Sequence, residues 1–242
     1  MRKVFFLIIL SVSISSCKKD CWQSAGEDAI EDRQLEEFSS IDINDNFIVH
    51  LIQDSLSFIE LRGKSNLISH IETKVEGQTL NISDQNTCSL LKGYHKNHLY
   101  IHFTELENLN IWGSIELYSN DTIRVDNINF MVKGDVQTWA LLINAQNIHI
   151  EMHAVVGNIK ISGSTQDIYL YTSGTNFCYF KNLIAKKASV NHSSIGDYYM
   201  TIKNELTLDV NQIGNFYCYG NPSKKNINKS KSSTGEVYFF DE

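Results

Sequence analysis

Three histidines lie within eight residues of one another and could supply imidazole ligands to a metal ion: His95, His98 and His102. Apolar and polar residues alternate around them, which places His98 and His102 on one face of a strand. Four residues of strand separate these two side chains by more than about 10 Å, too far for both to bind one ion directly. A site would require His95 to fold back, so we expect neither a metal nor any other cofactor.

Carboxylates could bind Ca²⁺ or form an acid/base pair if they recurred on neighbouring strands. Asp135 and Asp197 each follow a glycine in a repeating pattern, but three repeats, or about 14 Å, separate them. Asp126, Asp167 and Asp209 occupy differing positions of that pattern. The chain also lacks a nucleophile elbow, a phosphate-binding glycine loop and a HExxH motif. We therefore expect that the chain has no catalytic residues and that the protein is not an enzyme.

Aromatic residues recur three positions after four glycines, with Tyr179 and Tyr219 nearby; the four are Phe177, Tyr199, Tyr217 and Tyr238. If this position points outward, it forms an exposed stripe that could stack against sugar rings or contact another protein. The alternative is that like residues on neighbouring strands stack on one another and only stabilise the fold. The pattern therefore predicts a possible ligand-stacking ladder.

Cys17 carries a thiol in a specific context. It follows Ile14-Ser15-Ser16, an apolar run from Val4 to Leu10 and two basic residues. The run is too short to span a bilayer as a helix, and the whole segment is typical of a signal peptide.

The segment 14–17 resembles the lipobox of bacterial lipoproteins, in which small residues enter the peptidase and the cysteine receives diacylglycerol. The resemblance implies cleavage after residue 16 and a palmitate-type lipid anchor on Cys17. Lys18, rather than an aspartate, favours the outer membrane, with either a periplasmic or a surface location. The alternative is an ordinary signal peptide with an incidental cysteine.

The remaining cysteines do not indicate a disulfide framework, and connectivity cannot be deduced from sequence. Cys21 and Cys88 form the pair that stays possible outside the inner membrane. Cys178 and Cys218 fall in one column of the repeat, two repeats apart. That separation exceeds the reach of a disulfide, so we expect both to be unpaired, buried thiols.

Composition limits the class of protein that positions these residues. The 242 residues are 42% hydrophobic and 11% aromatic, with one proline, which excludes a disordered chain and proline-rich linkers. The net charge of −7 without a basic cluster argues against nucleic-acid binding. We expect a signal peptide over 1–16, a polar tether over 17–37 and one large region over 38–242.

From Phe38 onward, apolar residues alternate with polar ones, as in half-buried strands. Only residues 66–71 suggest a helical turn, and residues 75–79 suggest a hairpin turn. Apolar pairs recur about every 20 residues, too short a period for helical repeats or propeller blades. The repeat predicts an all-β chain with a right-handed parallel β-helix over 105–242, preceded by a β-rich part over 38–104. The aligned pairs are Leu109/Ile111, Ile128/Phe130, Ile148/Ile150, Ile168/Leu170, Ala188/Val190, Leu206/Leu208 and Ile227/Lys229.

Proline would remove a ladder hydrogen bond in every repeat, so the single Pro222 is expected in a turn. The lysine-rich segment 223–234 keeps the repeat and is expected to be a polar capping coil. The alternative is a mobile basic loop.

The order of motifs over about residues 38–240 resembles the head GIN-domain family, labelled putative auto-transporter adhesins. It is carried by the lipobox, by Phe47-Ile48-Val49-His50-Leu51, by Glu76-Gly77-Gln78-Thr79-Leu80 and by Gly214-Asn215-Phe216, with the β repeats between. The resemblance implies a right-handed β-helix on the cell envelope of a Bacteroidota-type bacterium.

These features together predict a cell-envelope lipoprotein with a non-catalytic role in adhesion or in binding a protein or glycan ligand. Its expected partners are the membrane, through the lipid anchor, and that ligand; nucleic acid is not among them. The alternatives are a polysaccharide-processing β-helix enzyme and an envelope scaffold that self-associates through an open end.

Overall fold

The computed structural model describes residues 24–86 and 96–241, and within them the chain is all-β apart from one helical turn. The strands form a single curled, open sheet. They are β1 Asp28–Gln34, β2 Ser40–Ile43, β3 Phe47–Gln53, β4 Phe58–Lys64, β5 Ile71–Glu76, β6 Thr79–Asp84, β7 Asn97–Phe103, β8 Asn108–Ile111, β9 Ile115–Ser119, β10 Ile123–Val132, β11 Val136–Ser194, β12 Tyr198–Val210, β13 Phe216–Tyr219, β14 Lys224–Lys229 and β15 Val237–Phe240, with helix α1 at Ser65–Ile68.

The sheet has two limbs that meet at β11. The first limb runs β5-β6-β2-β8-β10, the second runs β1-β4-β7-β3-β9, and β11 pairs with both β10 and β9. β12 continues from β11; β14 then extends the first limb, and β13 and β15 extend the second. The expected all-β chain, the helical turn near residue 66 and the hairpin turn between β5 and β6 are confirmed.

Strand β11 turns repeatedly, because its 59 residues would measure about 190 Å if straight. Its backbone has a positive φ at Ala154 and at three glycines, at positions 157, 163 and 174. Segments about 20 residues apart then lie side by side. The Ser164 hydroxyl, for example, donates to the Asn144 side-chain oxygen at 3.0 Å. β11 therefore passes beside itself about once per sequence repeat.

Inward side chains form columns that run across the strands of each limb. Ile41 is paired with Leu109, Leu109 with Phe130, and Phe130 with Ile150, and all four are essentially inaccessible to solvent. Each such side chain contributes about 1.5–3 kcal/mol through its removal from water. The inward side chains of a single pass of the chain cannot pack against a neighbouring strand by themselves. The core therefore depends on stacking of successive passes.

The repeat register differs from the expected one at both ends. Ile128 pairs with Ile148 and Ala188 with Leu206, as aligned from the sequence. Leu109, however, lies beside Phe130 instead of Ile128, and Ile227 lies beside Leu208 instead of Leu206. Both differences are two residues, the shift that leaves every side chain on the same face of its strand.

Glycine is required where the passes approach most closely. A Cβ on Gly214 would lie 2.2 Å from the Gly196 carbonyl oxygen, and one on Gly235 would lie 2.1 Å from the Gly214 carbonyl oxygen. These three glycines therefore stack directly. Gly174 does not join them, since it lies against Val155, where a Cβ would be 2.4 Å from the carbonyl oxygen.

The N-terminal end makes the sheet mixed instead of wholly parallel. β4 runs antiparallel to β1 and β7, and β5 runs antiparallel to β6. Residues 28–34, expected to belong to a polar tether, form β1. This segment is polar but has a structural role. The Arg33 guanidinium donates to the Ile71 carbonyl at 2.5 Å and to the Ile68 carbonyl at 3.2 Å. Arg33 thus links the two limbs across this end.

At the C-terminal end, β14 and β15 are the last strands of the two limbs, so residues 224–229 are paired strand, as the capping-coil interpretation predicts. Pro222 lies in the turn between β13 and β14. Lys225 and Lys229 occupy the inward positions opposite Leu206 and Val210. The Lys225 ammonium lies 4.2 Å from the centre of the Phe239 ring, and Lys229 pairs with Glu236 at 2.7 Å.

Candidate functional site

A column of four stacked tyrosines crosses the outer face of the second limb near the C-terminal end. We call Tyr179, Tyr199, Tyr217 and Tyr238 the tyrosine ladder. Successive ring centres lie 5.5, 4.7 and 5.2 Å apart, and the planes differ by 4 to 16°. The ladder follows from parallel pairing, since each tyrosine is the register partner of the next.

The structure therefore brings together three of the four aromatic residues that the sequence singled out. Phe177 is not one of them, because Tyr179 is the partner of Tyr199. Phe177 lies two residues earlier on the same face and packs near Gly196.

The same two-residue shift applies to the cysteines: Cys178 pairs with Tyr198, so it is one column away from Cys218. Both thiols are buried and free, and burial raises the pKa of Cys218 to about 11.

A second column beside the ladder adds charge and further aromatic surface. The Lys181 ammonium lies 4.1 Å from the centre of the Tyr219 ring, and the Phe240 ring stacks on Tyr219 at 5.1 Å. Tyr179, Tyr238 and Phe240 are each more than 40% exposed. The sequence repeat did not identify Lys181 or Phe240, although each lies two residues beyond a ladder tyrosine, and that spacing is the available signal.

The Tyr199 hydroxyl at the centre of the ladder remains a hydrogen-bond donor at neutral pH. Burial raises the pKa of Tyr199 above its usual value, and the charge of Asp197 acts in the same direction. The Asp197 carboxylate itself accepts a hydrogen bond from the Asn215 backbone at 2.8 Å. The surface thus combines neutral aromatic edges with hydroxyl groups and one nearby ammonium.

A buried polar cluster supports the ladder from inside. The Asn176 side-chain oxygen accepts from the Thr172 hydroxyl at 2.8 Å and from the Tyr198 hydroxyl at 3.0 Å. The Asn176 amide nitrogen donates to the Ser173 and Val155 carbonyls. Since Tyr198 points inward and Tyr199 outward on the same strand, these bonds fix the backbone that presents the ladder.

The histidines considered for a metal site lie in separate environments. His98 is 3.3 Å from His50, nitrogen to nitrogen, whereas His102 bonds to Asp54 at 3.0 Å and stacks on Phe58. His95 lies outside the described residues. Within residues 24–86 and 96–241, no group of three His, Cys, Asp or Glu side chains could hold a metal ion.

Cys17, Cys21 and Cys88 also lie outside the described residues, so the lipid anchor and the Cys21–Cys88 pair stay predictions. In the described part of the chain, no helix has the length and hydrophobicity needed to cross a membrane.

Solved structures with the same fold come from Bacteroides and Parabacteroides species. A putative adhesin from Bacteroides fragilis superposes with a TM-score of 0.79 at 18% identity, covering 88% of this chain and 97% of that chain. A putative adhesin from Parabacteroides distasonis gives 0.63 at 15% identity, covering 89% and 98%. A putative lipid binding protein from P. distasonis gives 0.61 at 17% identity, covering 89% and 97%.

Curated proteins provide no significant match to this sequence. A family model does match, over residues 37–222, and its description is putative auto-transporter adhesin, head GIN domain. The matched range begins one residue before Phe38 and ends at Pro222, so it spans most of both limbs. The chain therefore belongs to the head GIN-domain family of putative auto-transporter adhesins.

Proposed function

We propose that this protein is a non-catalytic, envelope-anchored adhesion protein and that the tyrosine ladder is the face that binds its protein partner. The observation that carries the proposal is the ladder itself, a continuous aromatic column on paired strands that is half-buried at its centre and exposed at both ends. Tyrosine combines a large apolar ring with a hydroxyl donor and has few rotatable bonds, which is why it is enriched in protein interfaces. Adhesion is also the role named for the family.

A protein partner fits the ladder better than a sugar does. With ring centres about 5 Å apart and nearly parallel planes, each inner ring has its faces partly covered by its neighbours. Stacking of a sugar requires an open ring face, whereas the ladder offers edges and hydroxyls. These groups can pack against apolar side chains and hydrogen-bond to a protein backbone.

The proposed architecture completes this function. We propose a lipid anchor on Cys17 after removal of residues 1–16, placement in the outer membrane, a tether shortened by β1, and a right-handed parallel β-helix over 105–242. Twenty-residue spacing of parallel partners supports the helical path. A Cys17→Ser variant should lose labelling by radioactive palmitate and leave the membrane fraction, and retention of the label would exclude this anchor.

The alternatives have less support. For an enzyme, two of the considered carboxylates are occupied between strands, Asp197 with Asn215 and Asp209 with Asn228. For lipid binding, named for one structural relative, the space between the limbs is filled by side chains such as Trp139 and Phe130, whose rings pack at 5.5 Å.

The test is adhesion of cells that display the full chain to an array of immobilised extracellular proteins. Tyr199→Ser with Tyr217→Ser should abolish most of the retention that the wild-type chain confers. Tyr169→Ser is the matched control, because Tyr169 is also exposed and stacked, on His149, but lies outside the ladder. Equal retention by the ladder variant and the wild type, with equal surface expression, would refute the proposal.

A further inference from the structure

A polar groove lies at the bend between the two limbs, away from the tyrosine ladder. Its volume is about 740 Å³, within the range of ligand sites. Its lining comes from chain segments that are distant in sequence: the end of β3 and the residues before β8, then β10 and two passes of β11. The groove therefore runs across the strands, where neighbouring strands are about 4.8 Å apart.

The lining is made of groups that both donate and accept hydrogen bonds. Side-chain amides and hydroxyls dominate, including Gln53, Asn127, Asn144, Gln146 and Ser164. A side-chain amide offers two donors and an acceptor, which matches a sugar hydroxyl, itself a donor and an acceptor.

The charge of the groove disfavours an anionic ligand. Among the described lining residues, Arg124 is the only base, and the lining also contains three carboxylates, Glu105, Glu107 and Asp126. A phosphate or sulfate group would meet this net negative charge without a second cation to offset it. Neutral hydroxyl groups can instead donate to the carboxylates.

Several lining groups are held in place before any ligand arrives. Gln53 donates to the Arg124 carbonyl at 2.9 Å and accepts from the Arg124 backbone at 2.8 Å. Ser164 and Asn144 are bonded at 3.0 Å, and Asn147 donates to Asn127 at 2.8 Å. A site whose side chains are already ordered loses less conformational entropy on binding.

We propose that this groove binds a linear, neutral oligosaccharide that lies across the strands. Polar side chains recur on successive strands, with Arg124 beside Asn144 and Asn144 beside Ser164. The strand spacing of about 4.8 Å is close to the length of one pyranose ring in a chain. An extended peptide has a different period, because its side chains return to one face only every 6.6 Å or about that distance. The row from Gln53 through Arg124 and Asn144 to Ser164 would contact about four sugar units.

The test uses the full-length protein in detergent and an array of neutral linear oligosaccharides of two to eight units, followed by titration of the best binder. Affinity should increase with chain length up to about four units and then stay constant, as the row length requires. Gln146→Ala should lower affinity about 3- to 10-fold for one lost hydrogen bond, and Gln146→Ala with Asn144→Ala by more.

Asn228→Ala is the matched control, because this exposed amide on β14 bonds to Asp209 and lies outside the groove. Gln146 is exposed, so its substitution tests the groove even if the double variant fails to fold. The ladder variant Tyr199→Ser with Tyr217→Ser should keep oligosaccharide affinity, which separates this site from the proposed protein-binding face.

Three results would overturn the groove proposal. They are an array that captures no neutral oligosaccharide, a Gln146→Ala titration that matches that of the wild type, and a basic peptide on the array that binds where no oligosaccharide does. None of these results bears on adhesion through the ladder.

Discussion

His192 should make the stability of this protein depend on pH in a window set by burial of one ring. The side chain is inaccessible to solvent and stacks on Tyr198 with 3.8 Å between ring centres. Its Nδ1 accepts from the Ser194 backbone at 3.4 Å, and its Nε2 makes no hydrogen bond of normal geometry among the described residues. Burial lowers the pKa of His192 to about 4, although the backbone of Asn215 acts in the opposite direction.

The direction in which stability changes with pH follows from the lowered pKa of His192. The unfolded chain binds a proton at His192 below its ordinary pKa of about 6.5, whereas the folded chain stays neutral there until about pH 4. Stability from this group is therefore complete above pH 6.5 and is lost as the pH falls to 4. The full loss is about 3 kcal/mol, of which about 2 kcal/mol falls between pH 7 and pH 5.

Urea unfolding at pH 7 and pH 5 measures this loss. His192→Phe keeps a ring against Tyr198 and removes the titrating group, so its stability should fall by about 2 kcal/mol less than that of the wild type over this interval. His149→Gln serves as the control, because 43% of the His149 side chain is exposed and its ring is bonded to Glu151. His50, whose pKa is also lowered by burial, remains in every variant and cancels in the comparison.

The refuting result is a variant whose loss between pH 7 and pH 5 equals that of the wild type. It would mean that His192 is solvated in the folded protein, or that the cluster around it opens before the chain unfolds. The absolute stability of His192→Phe is not the readout, since the substitution also removes the acceptor for Ser194.

Two further predictions concern the interior and the C-terminal edge. Asn176→Ala should lower the free energy of unfolding by about 3 to 5 kcal/mol, since it leaves buried hydroxyls and carbonyls unpaired; urea unfolding checks this, with the exposed Asn228→Ala changing it by less than about 0.5 kcal/mol. Lys225→Leu with Lys229→Leu should increase association through the C-terminal edge, because inward charges at a terminal strand block pairing with another chain. Sedimentation velocity at increasing concentration measures the association, and an unchanged sedimentation coefficient would contradict it.

The sequence was sufficient for the strands but not for their register. Alternation identified inward positions correctly in the aligned pairs from Leu109 to Leu208, because each strand has one buried face. It placed Leu109 beside Ile128 and Phe177 beside Tyr199, each two residues from the observed partner. A two-residue slip preserves the inward and outward pattern, so the hydrophobic period cannot distinguish the two registers.

Long-range order at the N-terminal end was beyond sequence reasoning for another reason. β2 lies between β6 and β8, and β3 lies between β7 and β9, so strands close in sequence are separated in the sheet. No local sequence pattern predicts that strands close in sequence are not neighbours in the sheet. Arg33 was likewise hidden, since a charged residue in a polar segment gives no sign that its guanidinium bonds to buried carbonyls.

The candidate sites were likewise predicted from the sequence only in part. Tyr199, Tyr217 and Tyr238 were accessible to sequence reasoning because identical residues recur at one position after a glycine. The groove was missed because its amides are common surface residues. Gln146 and Gln166, which both line the groove and lie one repeat apart, were the available signal. Asn176 gave no such signal, because the sequence alone does not distinguish a buried polar side chain from an exposed one.

The interior cluster and the ladder share one strand, so stability and adhesion should change together in acid. Tyr198 bonds to Asn176 and stacks on His192, while the adjacent Tyr199 is the centre of the ladder. Protonation of His192 places a charge beside Tyr198, whose ring stacks on the imidazole. If the ladder binds the partner, adhesion of wild-type cells should fall as the pH drops through about 4, where His192 of the folded chain takes up its proton. Cells displaying His192→Phe should retain adhesion at that pH, and an equal fall in both would show that the two faces of this strand are not coupled.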